Sequence, residues 1–196
     1  VTRTRLLTLL LGLVMLGITT AGCGVDDDAA AAGGGTPAAR LDVDSLAAMD
    51  VVDMVALLES MPVEERPADV LASVRPDEVV LADGAGAEVA VPTPEGLFHL
   101  SVAPYVESTH DCWFHSLTTC TGEMGDTEVD VTIVDTASGE VLVDETTRTF
   151  DNGYVAYWLP DGIEAEVTIA AGGRSGNVVV TTGPDDLTCL TSLRLT

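Results

Sequence analysis

Beyond Cys23, the cysteine and histidine side chains that can hold a soft metal ion or exchange electrons are Cys112, Cys120, Cys189, His99, His110 and His115. All three histidines fall within one 17-residue window, and Cys112 lies inside it. The densest stretch reads His110-Asp-Cys112-Trp-Phe-His115-Ser-Leu-Thr-Thr-Cys120. Thiolates select Cu(I), and imidazole accepts copper in either oxidation state. Zinc also suits a mixed Cys/His set, so ligand type alone leaves the metal open. His99 lies in an alternating, strand-like segment and is the weakest candidate of the three histidines.

Spacing constrains how these residues meet. Cys112 and Cys120 would stand about 12 Å apart along a helix and roughly 26 Å apart along one strand. The chain must therefore reverse across Ser116–Thr119 if the two act together. Cys189 comes from a late strand and can join them only through the tertiary fold. Outside the cytoplasm, paired cysteines are usually structural bridges, and a simple Cys112–Cys120 disulfide is the competing reading. Three cysteines cannot all pair, so one thiol is left for a metal or redox role.

The elements around these residues fall into four segments. Residues 1–22 have Arg3 and Arg5 ahead of the uncharged run Leu6–Ile18, and small residues before Cys23. That order is the pattern of an export signal, and the apolar run is shorter than the roughly 20 residues a membrane span needs. Ala21-Gly22-Cys23 resembles a bacterial lipobox, with Cys23 as the lipidated residue, although Thr20 stands where that motif usually has an aliphatic side chain. The chain is thus expected to be exported and lipid-anchored on the outer face of the cytoplasmic membrane. Residues 23–40, with Asp26-Asp27-Asp28, an alanine run and Gly33-Gly34-Gly35, have nothing to bury and read as a flexible tether.

Residues 41–82 are expected to form a small helical subdomain. Its first helix starts at Asp44 or Ser45 and ends before Pro62; a second runs over 68–74 and stops at Arg75-Pro76. From residue 83 to 196 the pattern turns to short strands, at 87–91, 96–104, 128–135, 140–146, 153–159, 164–170, 176–182 and 187–195, divided by turns such as Ser138-Gly139 and Asn152-Gly153. The fold class expected is mainly β: an antiparallel β-sandwich-like domain preceded by the helical part.

Charge excludes several functions. Without residues 1–22 the chain carries six Arg, no Lys and 32 acidic residues, a net charge of −26. Such a surface repels nucleic acid and favours cations. Without Lys there is no phosphate-binding loop of the Gly-Lys type. His115 and Ser116 are adjacent and on a strand would point to opposite faces, which argues against a Ser-His hydrolase. Asp111, Glu123 and Asp126 flank the cluster, where their charge would draw cations in and also raise thiol pKa values.

The His110–Cys120 segment followed by Gly122-Glu123 resembles the signature of the CueP family of exported copper-binding proteins, as do Thr188-Cys189-Leu190-Thr191 and Tyr157-Trp158-Leu159-Pro160. The resemblance covers residues 41–196. It implies copper binding and copper tolerance, with Cys112, Cys120 and Cys189 as ligands and a nearby imidazole from His110 or His115. It also implies homodimers and hand-over of copper to another exported protein. Two other readings use the same residues: a thiol-dependent Cu(II) reductase, and a disulfide-stapled surface domain that binds no metal.

Overall fold

A computed structural model describes residues 41–196; the signal, lipobox and tether segments lie outside the described residues. The first helix, α1, runs Val43–Ala47, with Asp42 accepting from the Ser45 amide at its start. The second, α2, runs Val51–Ser60, and the Asp50 carboxylate accepts from the amides of Val52 and Asp53. The single helix expected up to Ser60 is thus two, because Asp50 is itself a strong N-cap and starts a helix of its own.

The second expected helix, over 68–74, is a strand. β1 (Val70–Val74) buries Val70, Ala72 and Val74 in strict alternation, a period of two that fits a sheet and not a helix. Pro76-Asp77 then turns the chain into β2 (Glu78–Asp83), antiparallel to β1 with Val74 opposite Val79. Apart from a 3-10 turn at Val63–Glu65, helix within 41–82 ends at Ser60.

The remaining strands are β3 (Glu88–Pro92), β4 (Leu97–Val102), β5 (His115–Ser116), β6 (Glu128–Asp135), β7 (Val141–Arg148), β8 (Val155–Pro160), β9 (Glu164–Ala171), β10 (Arg174–Thr181) and β11 (Cys189–Leu190). They form three sheets, in the orders β3-β2-β1-β5, β10-β9-β6-β7 and β11-β4-β8. All named pairings are antiparallel except β11 with β4. The mainly β, antiparallel class expected from the sequence is what the chain adopts. The late strand expected over 187–195 shrinks to Cys189–Leu190, and at its start the Thr188 and Cys189 amides donate to the Trp113 carbonyl.

Two apolar cores result. In the larger, Phe98, Leu100 and Val102 of β4 pack with Val129, Val131 and Ile133 of β6 and Val167 and Ile169 of β9. In the smaller, Leu46, Met54, Val55 and Leu58 of the helices pack on Val70, Val74, Val79 and Leu81, with Trp158 against them. β4 is buried on both faces. Its alternate residues, His99 and Ser101, point away from the larger core; His99 meets the Trp158 ring edge-on at 4.7 Å and Ser101 meets α2. The β4 alternation is therefore a boundary between two packed layers and not between core and water.

A close backbone approach fixes the turn ahead of β8. Gly153 has φ +82°, and a Cβ there would stand 2.9 Å from the Gly122 carbonyl. Gly153→Ala is expected to cost about 1–3 kcal/mol, read as a fall in thermal midpoint of roughly 2–4 °C per kcal/mol. An unchanged midpoint would show that the two loops are free to separate.

Candidate metal centre

The reversal required between the two nearer cysteines is present. After β5 the chain turns through Leu117–Thr119, and the Cys120 amide donates to the Ser116 carbonyl at 3.1 Å. This folds Cys120 back on Cys112, with their sulfurs 3.6 Å apart. Thr188 brings in the third sulfur. Its buried hydroxyl donates to the Val74 carbonyl at 2.6 Å and accepts from the His115 amide at 3.0 Å. That clamps the start of β11 beside β5 and β1. Cys112, Cys120 and Cys189 then pack together with Tyr154 and Ala103 in a small apolar cluster of their own.

The disulfide joins Cys112 to Cys189, 77 positions apart in sequence, with Cα atoms 5.6 Å apart. Cys120 is the free thiol. The Cys112–Cys120 bridge considered from spacing is therefore not the one formed. The reason is local: the Trp113 carbonyl takes both the Thr188 and Cys189 amides, which sets Cys112 directly against β11.

Among the described residues, two groups of side chains have ligand atoms that lie within 4.8 Å of one another in each group: His110, Cys112 and Cys120, and His115, Cys120 and Cys189. The five candidate ligands named from sequence thus gather at one place. His110 is exposed, with Nε2 3.3 Å from the Tyr154 hydroxyl. His115 is fully buried, with Nδ1 3.7 Å from the Cys189 sulfur. His99 is also buried but belongs to neither group. Glu123 does not face the cluster. Its carboxylate accepts from the amides of Val106, Glu107 and Ser108, at 2.9–3.1 Å, and so pins the loop that leads to His110.

Glu59, absent from the sequence reading, lies behind His115. It is buried in the last turn of α2. Oε1 accepts from the Ser101 hydroxyl at 2.8 Å and lies 3.1 Å from His115 Nε2, at ion-pair distance but off the N–H axis. The Asn152 amide reaches Oε2 at 3.4 Å. Arg66 closes the helix end by donating to the Glu59 and Met61 carbonyls. The sequence did carry a signal, since position 59 continues the apolar face of Met54, Val55 and Leu58.

Burial by itself would raise the Glu59 carboxyl, but the His115 and His99 imidazoles and the Ser101 hydroxyl outweigh it and hold the group down at about 2. Burial would likewise lower His115; the Glu59 carboxylate and the Cys120 sulfur reverse this and hold it at about 9. The Cys120 thiol is lowered, because the His115 imidazole and the Ser116 amide more than offset its burial. His99 is pushed down to about 4 by burial, which Glu59 only partly opposes.

The donor set is therefore three sulfurs and two imidazoles, soft and borderline groups that suit copper. Among curated proteins none matches this sequence. The family model of the periplasmic copper-binding protein CueP matches residues 53–194. The crystal structure of S.CueP superposes with a TM-score of 0.72 at 32% identity, over 78% of this chain and 92% of that one. The matched span contains the Cys/His cluster, Glu59 with most of its helix and every strand that positions them, and the chain belongs to the CueP family of periplasmic copper-binding proteins.

Proposed function

We propose that this protein is an exported lipoprotein, anchored through Cys23, that holds copper as Cu(I) in a site made by Cys112, Cys120 and Cys189 in their reduced state, with the His115 or His110 imidazole completing it. Its role in this reading is copper tolerance. The observation that carries it is the convergence of sulfurs from three separated places in the sequence onto one cluster, beside a buried imidazole. Thiolate ligands favour Cu(I) over Cu(II). The acidic surface raises the local concentration of cations before capture.

The test is anaerobic titration of the reduced protein with Cu(I) against a competing chelator, with free thiols counted throughout. The expected result is one tightly held Cu(I) per chain and loss of thiol reactivity in step with loading. A protein that ignores copper while Cys112 and Cys189 stay joined under reductant would favour the disulfide-stapled surface domain instead.

One observation favours a second reading, reduction of Cu(II) at the same place: Cys112 and Cys189 sit at disulfide-forming separation. Oxidising the two thiols to that disulfide releases two electrons and two protons, enough to turn two Cu(II) into two Cu(I). The expected stoichiometry is two Cu(II) consumed per dithiol, and turnover beyond that requires an added thiol donor.

A further inference from the structure

Building on the copper-binding reading, we infer that Glu59 is the positioning residue of the copper site: its carboxylate, brought in by α2, fixes the His115 ring with Nε2 toward the helix and Nδ1 toward the sulfurs of Cys120 and Cys189. The geometry is a chain of contacts from helix to cluster. Ser101 and Asn152 hold one carboxylate oxygen each, at 2.8 and 3.4 Å, so the group cannot swing away. Glu59 then faces His115 Nε2 at 3.1 Å, and the opposite ring nitrogen, Nδ1, stands 3.7 Å from the Cys189 sulfur.

An imidazole has two possible ligand nitrogens, and which one faces the metal is set by the partner of the other. A carboxylate behind Nε2 keeps a proton on that atom, so Nδ1 is the nitrogen that gives up its proton to the metal. A buried carboxylate is costly unless it is paired and hydrogen-bonded, and Glu59 has three polar neighbours that offset the cost. The other buried imidazole is an internal contrast: His99 lies outside both ligand groups. The helical segment therefore has a defined task, which is to bring the orienting carboxylate to the back of the site.

The test combines Glu59→Gln, nearly the same shape without the charge, with 15N NMR of the histidine rings in the Cu(I)-loaded protein. In the unmodified protein the expected result is His115 with copper on Nδ1 and the proton kept on Nε2, while the His99 signals stay unmoved. In Glu59→Gln, Cu(I) affinity is expected to fall by about 10–100-fold, the usual effect of losing the partner behind a metal-binding histidine. Glu59→Asp, which restores the charge on a shorter arm, should recover part of that loss. A purely structural ion pair would leave affinity and the metal-bound nitrogen unchanged.

The inference is overturned if copper sits on Nε2, if loading leaves His115 unmoved, or if Glu59→Gln binds Cu(I) as tightly as the unmodified protein. Should Glu59→Gln fail to fold, the 15N result on the unmodified protein decides alone. If the unmodified protein takes up no Cu(I), the copper-binding reading fails and this inference falls with it. Tight, Cys120-dependent binding that is indifferent to Glu59 overturns only the inference.

Discussion

Cys120→Ser is expected to abolish tight Cu(I) binding while leaving the fold intact. Among the described residues Cys120 is the cysteine outside the disulfide, and it belongs to both ligand groups, so each group loses a thiolate without it. The expected loss is larger than the ~10–100-fold that follows from removing a partner behind a ligand, because a thiolate in direct contact with the metal is gone. Chelator competition reads the affinity, and circular dichroism with the thermal midpoint reads the fold. Serine at this half-buried position keeps the size and a hydrogen-bonding atom. The Cys112–Cys189 link is untouched, so stability should change little. Unaltered affinity in this variant would move the copper site away from the sulfur cluster.

The second large effect is on stability at acid pH. His99 is completely buried and held down at about 4, against 6.5 for an unconstrained imidazole. The unfolded chain therefore binds a proton at this position between pH 6.5 and 4 that the folded protein does not. Stability must fall as pH drops through that window. The size is about 3 kcal/mol, at roughly 1.4 kcal/mol per pH unit. That corresponds to a drop in midpoint on the order of 10 °C. Glu59 extends the loss: its carboxylate, held at about 2, stabilises the fold above pH 4.5 and ceases to do so as pH falls toward 2.

His115 acts with the opposite phase. Its raised pKa contributes stability that is complete below pH 6.5 and is lost as pH rises toward 9, and the lowered Cys120 thiol works against that loss. The measurement is the thermal midpoint from pH 7.5 to 3.5 for the unmodified protein and for His99→Phe. Phenylalanine keeps the edge contact with Trp158 and removes a ring nitrogen that has no partner. The acid decline between pH 6.5 and 4 is expected to flatten in His99→Phe. Parallel curves for the two proteins would place the acid-sensitive group elsewhere.

The candidate site was legible in sequence where residue type alone carries chemistry. Cysteines and histidines are rare in this chain, and five of them meet as the clustering implied. The turn between Cys112 and Cys120 followed from the reach of helix and strand and is present. The partner of Cys112 was not legible, because it depends on one carbonyl, that of Trp113, which takes two amides from the chain 75 or more residues away. Glu59 was missed because, among 32 acidic residues, the only mark it carries is its place on the apolar face of Met54, Val55 and Leu58, and its partner Ser101 is known only once α2 packs on β4.

Among the strands, those with clear alternation and turn residues, such as β6, β7 and β9, stand where the pattern put them. β1 was misread because Pro67 and Pro76 bracket it as they would a short helix, and its five residues leave little room to distinguish a period of two from one of 3.6. His99 shows the same limit from the other side. Alternation along β4 identifies two faces but not what covers the second, and here α2 meets it, with Glu59 accepting from Ser101.

The most direct test of the central claim is X-ray absorption at the copper edge on the reduced protein loaded with one equivalent of Cu(I). The expected spectrum has a first coordination shell dominated by sulfur, with at most one lighter scatterer from imidazole. A shell of nitrogen and oxygen alone would contradict a site built from Cys112, Cys120 and Cys189.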